Sequence, residues 1–332
     1  MRLDLQKFPK ALIACAVLLL VACSGGDDEG GVDATGSAGP GTISVGQKPW
    51  SVALDEQRGL LYTANEFEST VSVVDLASRE VVATVSADRP VAIAVNPLTG
   101  AVFAANAFAD QVTVIQENEV KAVIEGDAQP WDVVVDAADN LAYVANSEGD
   151  TVSVIDGDSL RIVDTLRGFS EPYGLALSSD GDTLYVSNAA ANAIVAVDPA
   201  TGEALRSGPV GERPRGLAID EAAGRLYVAN SEGQSVSVLK LDDLTLVTTI
   251  EVGIEPLAVA VNPAFHAAYV VNSFDDTMSV IDISTGSVAA TVPAGRKPWD
   301  VAVSGDGQHI YVASSASGQV TVFAADQPFP TR

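Results

Sequence analysis

The sequence predicts an all-β protein: a single seven-bladed β-propeller of four-stranded antiparallel blades, closed by an N-terminal strand that joins the last blade. The first observation is a set of prolines 40 to 42 residues apart, at Pro49, Pro90, Pro130, Pro172, Pro214, Pro256 and Pro298. A second motif, YVAN or a variant of it, ends sixteen residues after each proline, at Asn65, Asn106, Asn146, Asn188, Asn230, Asn272 and Ser314. A third motif, of the form VSVID, follows each of these runs. The constant internal offset indicates one structural unit used seven times.

Each repeat contains four short runs that are typical of β-strands. In the sixth repeat these runs are LAVAV, AAYVVN, TMSVID and SVAATV. Apolar and β-branched residues alternate in them with a period of two, and clusters of Gly, Asp, Asn and Ser separate them. A helical repeat of this length would show two stretches of helical periodicity, and none is visible. Four strands in one such repeat predict a propeller blade.

The closure of the ring is also predicted. The seventh repeat supplies only three strand-like runs, WDVAV, HIYVAS and QVTVF, whereas an extra run, TISV at residues 42–45, precedes the first repeat. We expect this run to form the outer strand of the last blade, because closure removes an exposed sheet edge. The Lys-Pro-Trp motifs at residues 48–50 and 297–299 would then lie on neighbouring blades.

These motifs resemble a known family. YVAN, VSVID and the G-x-x-P linker are similar to the YVTN-repeat β-propellers of bacterial exported and surface proteins, over roughly residues 42–324. The departures from the family pattern are scattered and leave the fold prediction intact. They are Phe103 for Tyr, Ser314 for Asn, and Gln116, Lys240 and Ala324 for Asp.

The N-terminal segment is predicted to direct export. Lys7 and Lys10 precede the apolar run ALIACAVLLLVA, which is too short to favour a membrane span. The run ends in LVAC, which resembles the lipobox of bacterial lipoproteins. The resemblance implies cleavage after Ala22 and acylation of Cys23, and Ser24 after the acylated residue favours attachment to the outer membrane. An ordinary signal peptide is the alternative.

The predicted organisation has four parts. They are a lipoprotein signal peptide (1–22), a lipidated Cys with a flexible Gly/Ser/Asp tether (23–41), the propeller (42–326) and a C-terminal tail (327–332). Lipid is thus the only membrane attachment that we expect, and the chain is exported.

The charge balance excludes nucleic acid as a partner. Acidic residues outnumber basic residues by 44 to 18, and the formal net charge is −26. Such a surface repels phosphates, whose binding requires clustered Lys and Arg. Cys15 would be removed with the signal peptide and Cys23 would be acylated, so no disulfide and no Cys-based metal site are expected.

One face of the propeller is predicted to bind. Because the strands of a blade are antiparallel, the proline-containing linkers and the loops after YVAN lie on the same face, at the mouth of the central channel. The linkers are rich in cations, namely Lys48, Arg89, Arg213, Arg215, Arg296 and Lys297.

All three tryptophans of the chain directly follow a linker proline: Trp50, Trp131 and Trp299. Aromatic rings flanked by cations suit stacking on planar ligands or a partner's binding hot spot. We therefore predict a ligand- or partner-binding set composed of Lys48, Trp50, Arg89, Trp131, Arg296, Lys297 and Trp299. The alternative for the tryptophans is packing between adjacent blades. The YVAN asparagines are expected to be structural, bonded to the backbone of the following turn.

No catalytic residue, metal ligand or cofactor is predicted. His266 and His309 fall in turns on the opposite face, and no third ligand accompanies them. Asp132 and Asp300 could face the channel, where they would pair with linker cations or bind a cation.

The sequence favours a non-catalytic binding or scaffold lipoprotein of the cell envelope or surface. Its channel-mouth face would bind a protein partner or an anionic or saccharide ligand. The alternative is a propeller enzyme of the lactonase or lyase type, or an accessory protein of a quinone-dependent dehydrogenase.

Overall fold

The computed structural model describes residues 41–326 of the 332-residue chain. The predicted signal peptide, the acylation site Cys23, most of the tether and residues 327–332 lie outside the described residues. Residues 41–326 form seven four-stranded antiparallel sheets, which confirms the predicted seven-bladed propeller. Within these residues there is no helix with the length and apolar composition that crossing a membrane requires.

The strands follow one another around the ring, and strands a to d of each blade run from the channel outward. The first strand is β1 (Gly41–Ser44). Blades 1 and 2 contain β2 (Pro49–Asp55), β3 (Leu60–Asn65), β4 (Thr70–Asp75), β5 (Glu80–Ser86), β6 (Ala92–Val95), β7 (Val102–Asn106), β8 (Gln111–Gln116) and β9 (Glu119–Glu125). Blades 3 and 4 contain β10 (Pro130–Asp136), β11 (Leu141–Asn146), β12 (Thr151–Asp156), β13 (Arg161–Arg167), β14 (Pro172–Leu177), β15 (Leu184–Asn188), β16 (Ala193–Val197) and β17 (Ala204–Pro209).

The remaining blades continue the pattern. Blades 5 and 6 contain β18 (Pro214–Asp220), β19 (Arg225–Asn230), β20 (Ser235–Lys240), β21 (Leu246–Glu251), β22 (Pro256–Asn262), β23 (Ala267–Asn272), β24 (Thr277–Asp282) and β25 (Ser287–Pro293). Blade 7 contains β26 (Pro298–Val303), β27 (His309–Ser314), β28 (Gln319–Ala324) and, as its outer strand, β1. Two short 3-10 helices, Ala189–Ala191 and Pro263–Phe265, interrupt the described connections.

The N-terminal strand closes the ring as predicted, although it begins one residue earlier than the TISV run. β1 pairs antiparallel with β28, with Ile43 opposite Val320. The Ile43 side chain is fully buried among residues of blades 7 and 1. The last blade is therefore fastened to the start of the chain by both backbone pairing and apolar contact.

The hydrophobic core lies between the blades. Tyr62 and Val73 of blade 1 pack against Ile93 and Ile115 of blade 2, and the other blade interfaces repeat this arrangement. Strands b and c are buried on both faces, which explains their nearly continuous apolar runs. Burying each such side chain contributes about 1.5–3 kcal/mol, so the packing between blades stabilises the ring.

The asparagines that end strand b are structural, but their partners differ from the expected backbone groups. In five blades the buried Asn Nδ2 donates to Ser or Thr hydroxyls on strand c. Asn146, for example, donates to Thr151 (3.1 Å) and Ser153 (2.9 Å). The linker glycine packs directly on this amide, since a Cβ on Gly46 would lie 2.5 Å from Asn65 Nδ2. The G-x-x-P and YVAN motifs therefore belong to one interaction.

The residue before each linker proline has a left-handed backbone conformation. These residues are Lys48, Arg89, Gln129, Glu171, Arg213, Glu255 and Lys297, with φ between 49° and 58°. The conformation is unfavourable for residues with a Cβ, by roughly 1–2 kcal/mol each. Hydrogen bonds offset this cost: Lys297 N donates to Asp276 Oδ1 of the preceding blade (2.7 Å), and Ser315 N donates to Lys297 O (2.9 Å).

Candidate functional site

The linkers and the loops between strands b and c meet on one face, as the antiparallel topology predicts. Ser147, the first residue after β11, donates its backbone N–H to Gln129 O in the linker before β10 (3.0 Å). Equivalent bonds join the linker and the b–c loop in other blades. This face surrounds the mouth of the central channel and carries the predicted binding residues.

A stack of aromatic rings crosses the channel mouth. Trp50 lies on Trp299 with ring centroids 4.0 Å apart and planes at 11°. On its other side, Trp50 is nearly parallel to Trp131 at 5.9 Å, and Trp131 stacks on Tyr173 at 5.0 Å. The Phe108 ring is nearly perpendicular to both Trp50 and Trp131, with ring centroids 6.2 and 5.9 Å apart. Such contacts add about 0.5–1.5 kcal/mol per pair to the burial of the rings.

Cationic side chains cover the stack at two places. The guanidinium carbon of Arg215 lies 4.3 Å from the Tyr173 ring centroid, and that of Arg89 lies 3.9 Å from the Phe108 centroid. Both distances are in the range of cation–π attraction. The aromatic column thus runs from Trp299 on blade 7 to Arg215 on blade 5.

The two interpretations of the tryptophans were binding and packing between blades, and the structure shows a third arrangement. The half-buried Trp side chains pack on one another over the channel and are not members of the apolar clusters between the described blades. Trp131 Nε1 donates to Gln129 Oε1 at 3.2 Å. Most ring faces in the stack are therefore covered by another ring.

The predicted cations divide into paired and unpaired groups. Glu66, buried at the start of the b–c loop of blade 1, accepts from Lys48 Nζ (3.4 Å) and Arg89 Nε (2.8 Å). Arg296 and Lys297 are exposed, and their side chains form no ion pair within residues 41–326. The linker before blade 7 thus presents two positive side chains, without an ion pair in the described chain, on the face that surrounds the channel mouth.

Three exposed phenylalanines on the same face were not predicted. Phe67 is 65% exposed, Phe108 47% and Phe274 70%. Each is the second residue after the terminal Asn of strand b, so the repeat position was the signal that could have revealed them. Tyr173 was missed in the same way, because it occupies the repeat position of the three tryptophans.

Asp132 and Asp300 face the channel as expected, but they pair with backbone N–H groups and not with linker cations. Asp132 Oδ2 accepts from Leu175 N of blade 4, and Asp300 Oδ2 accepts from Val52 N of blade 1, at 2.8 and 2.9 Å. Each carboxylate therefore joins the innermost strands of neighbouring blades.

The environment of these carboxylates favours their neutral forms. Burial raises the pKa of Asp132 to about 7, and the nearby Asp300 carboxylate also raises it. The hydrogen bonds from Leu175 N and Val133 N lower this pKa but do not outweigh the burial. Burial likewise raises the pKa of Asp300. Solvent in the channel still touches both side chains, but protein atoms surround them closely enough to weaken their hydration.

Below the mouth lies a cavity of about 110 Å³. Its wall is formed by the first two residues after the linker proline in all seven blades, including the aromatic stack, both carboxylates and Arg215. All seven repeats thus contribute to one site on the axis.

A channel-mouth metal, as the lactonase alternative would use, does not fit the residues present. Within residues 41–326, no three His, Cys, Asp or Glu side chains come together in a way that could hold a metal ion. The two channel carboxylates already accept backbone N–H groups. His266 and His309 lie in and after turns between strands a and b, at the end of the blades away from the mouth.

The fold and this site define the class: a seven-bladed β-propeller protein whose channel mouth is filled by stacked aromatic side chains. Residues 51–269, from strand a of blade 1 to strand b of blade 6, match the SMP-30/gluconolactonase/LRE-like region family, and the chain belongs to that family. Comparison with curated proteins gives no match.

A solved structure has the same fold. A chain of Kuenenia stuttgartiensis hydrazine synthase aligns with a TM-score of 0.73 and 20% identity, over 85% of this chain and 97% of that one. At this identity the similarity concerns the fold alone.

Proposed function

We propose that the protein is a non-catalytic binding protein whose channel-mouth face receives a protein partner in the cell envelope. The observation that carries the proposal is the row of exposed phenylalanines, Phe67, Phe108 and Phe274, on that face. Exposed apolar side chains grouped on one surface are characteristic of interaction sites, and aromatic and Arg side chains dominate their energetics.

The phenylalanines lie on blades 6, 1 and 2, and the unpaired cations of blade 7 lie between Phe274 and Phe67. Blade 6 contributes Phe274, blade 7 the unpaired Arg296 and Lys297, blade 1 Phe67, and blade 2 Phe108. We call this set the aromatic-cationic rim. Blades 3, 4 and 5 have Glu148, Ala190 and Glu232 where the rim has phenylalanine. One half of the face is therefore suited to an apolar partner and the other half is not.

The charge of the rim points to an acidic partner surface. The chain has a net charge of −26, yet blade 7 presents two cations without an ion pair in the described residues. Complementary charge at a rim mainly sets the association rate and selects the partner. A saccharide would need a free ring face, and the stacked rings cover one another, so a protein on the exposed phenylalanines is the better-supported occupant.

The test compares two matched double variants of the tagged, detergent-purified full chain as baits for envelope extracts. F67S/F274S removes two rim side chains that are 65% and 70% exposed. The control L98S/V163S removes two apolar side chains of similar exposure, 61% and 58%, away from this face. We expect the control and the parent to capture the same partner and the rim variant to lose it. Equal capture by both variants would refute the proposal.

The positive charge is tested separately. Replacing Lys48 and Lys297 with Gln should slow association with the captured partner about tenfold at low salt and less at high salt, because these cations act at long range. Lys297 alone should account for most of the effect, since Lys48 is already paired with Glu66. Association rates independent of both the substitutions and salt would contradict this role.

The proposal includes export and a lipid anchor at Cys23. The lipobox-like LVAC run and the similarity of the repeats to YVTN-repeat propellers support it. Incorporation of a labelled acyl chain and recovery of the protein in the outer-membrane fraction should both be lost in Cys23→Ser. Retention of the label in that variant would place the acyl chain on another residue. Absence of the label from the parent protein would refute the lipid anchor.

Lactone hydrolysis is the second candidate, and membership in the gluconolactonase-containing family favours it. Asp132, with its pKa of about 7, is a channel group suited to act as a general base towards water at neutral pH. An assay with an aldonolactone should then show hydrolysis that Asp132→Asn abolishes. A parent protein with no rate above the uncatalysed reaction would eliminate this candidate.

A further inference from the structure

The channel cavity contains charges of both signs that have no ionic partner. The Nε atom of Arg215 is buried and has no hydrogen-bond partner, and its guanidinium makes no ion pair in the described chain. A buried N–H group without an acceptor is costly, so an anionic group that accepts a hydrogen bond from Arg215 Nε would be stabilised. The guanidinium lies over the Tyr173 ring, 4.3 Å from its centroid, and the backbone of Arg215 packs closely on blade 4, since a Cβ on Gly174 would lie only 2.1 Å from Arg215 O.

The carboxylates present the opposite requirement. Asp132 on blade 3 and Asp300 on blade 7 line the same cavity. Burial raises the pKa of both carboxyl groups, and the charge of Asp300 further raises the pKa of Asp132. Neither forms an ion pair with Lys, Arg or His within residues 41–326. A cationic group between them would remove both their repulsion and their lost hydration.

The size of the cavity limits the ligand. A volume of about 110 Å³ has room for a few water-sized groups, which favours a small ligand over a sugar chain or a nucleotide. A simple anion would be repelled by the two carboxylates, and a simple cation would be repelled by Arg215. A small molecule with one charge of each sign satisfies all three side chains.

We propose that the channel cavity binds a small zwitterion of the α-amino acid class, whose carboxylate pairs with Arg215 and whose ammonium group is held by Asp132 and Asp300. The rings of the stack add cation–π attraction for the ammonium group. The site lies inside the channel and does not depend on partner binding at the aromatic-cationic rim.

Binding can be followed without a label. All three tryptophans of the chain line the cavity, so intrinsic fluorescence responds to a ligand that enters it. The full chain is titrated with glycine, L-alanine and L-serine, and with acetate and methylamine as ligands that have one charge only. We expect saturable fluorescence changes and calorimetric heats with at least one amino acid and none with the single-charge compounds. No saturation by any amino acid, or equal affinity for acetate or methylamine, would overturn the proposal.

Two variants and one control variant test which side chains hold the ligand. Arg215→Gln and Asp300→Asn should each weaken binding at least tenfold, whereas Arg225→Gln, at the opposite end of blade 5, should leave it unchanged. Unaltered affinity in Arg215→Gln would refute the assignment.

The parent protein supplies a measurement that does not depend on how the variants fold. An ammonium group stabilises the ionised carboxylates, so binding near pH 6 should release protons, and this release should vanish near pH 8. Besides the two carboxyl groups and Arg215, the cavity wall contains the titratable group of Tyr173, whose pKa of about 12 keeps it neutral over this range. Calorimetry in buffers of different ionisation enthalpy measures the release, and its absence near pH 6 would contradict the proposed contact.

Discussion

At the scale of single residues, the two channel carboxylates are both structural and titratable. Asp132 joins blades 3 and 4 through its bond from Leu175 N, and Asp300 joins blades 7 and 1 through its bond from Val52 N. Their carboxylates are therefore retained in the channel although burial disfavours their charge. The consequence is a pH dependence of stability opposite in sign to that of an exposed acid such as Asp75, whose pKa is lowered by a hydrogen bond from Ser78.

Asp132→Asn should become more stable relative to the parent as pH rises. The folded-state pKa is raised from 3.8 to about 7, so between these values the folded protein holds a proton that the unfolded chain has released. Its free energy of unfolding consequently falls across this window, and the neutral Asn escapes the loss. The difference in Tm should be smallest near pH 4 and largest above pH 7, as measured by scanning calorimetry.

The exposed Asp75 provides the control for this prediction. A backbone N–H bond from Ser78 lowers the pKa of Asp75, so its contribution is present above pH 4 and lost only in stronger acid. Asp75→Asn should therefore show a constant small deficit between pH 5 and 8. A Tm difference for Asp132→Asn that did not change with pH would show that the carboxyl titrates normally.

Trp50 is a central ring of the aromatic stack, and its removal should eliminate ring contacts on both of its faces. The side chain contacts Trp299, Trp131 and Phe108. Trp50→Ala should lower the free energy of unfolding by about 3 kcal/mol, less than for a fully buried ring, and should reduce the near-ultraviolet circular dichroism. Urea denaturation measures the loss. A change below about 0.5 kcal/mol would show that the rings do not stack in solution.

At the scale of elements, the pairing of the terminal Asn of strand b with hydroxyls of strand c can be tested by a comparison within the chain. Asn146 donates to the hydroxyls of Thr151 and Ser153 on strand c of blade 3. In blade 4 the equivalent residues of strand c are Ala193 and Val195, which have no hydroxyl. Asn188 accepts one long hydrogen bond, from Ser170 N (3.3 Å). Asn146→Ala should cost about 2 kcal/mol of unfolding free energy and Asn188→Ala about half as much. Equal losses in urea denaturation would contradict this account.

The elements were largely predictable from the sequence because each strand repeats a local pattern seven times. The proline spacing located the linkers, and the missing strand of the seventh repeat located β1 within one residue. Side-chain partners were less predictable. The choice between a backbone and a hydroxyl partner for Asn146, or between Arg and a backbone N–H for Asp132, depends on the distance between strands, which the pattern does not contain.

The candidate site was predicted in position but only partly in composition. The linker face, the three tryptophans and the cations were identified from charge and repeat position. The stacking of Trp50 on Trp299 was not, because it arises from side chains that converge on the axis from different blades. Tyr173 was not predicted, because it shares a repeat position, but not a residue type, with the tryptophans that suggested the site, and Phe67 lies at a repeat position that none of the predicted site residues occupies.

At the scale of the whole molecule, stability depends on closing the ring with β1. This strand pairs with β28 over four residues and buries Ile43. A chain that begins at Val45 lacks the strand, so β28 becomes an exposed edge able to pair with another chain. The burial and backbone pairing lost should together amount to about 3–5 kcal/mol.

We therefore expect the chain starting at Val45 to melt at least 5 °C below a chain starting at Gly41 and to associate as its concentration rises, because the open edge of blade 7 is then available. Scanning calorimetry and light scattering at several concentrations measure the two effects. The chain starting at Gly41 is the matched control, since it retains β1 and lacks the same preceding segment. Equal melting and a monomeric Val45 chain would mean that apolar packing between blades 7 and 1 holds the ring without its closing strand.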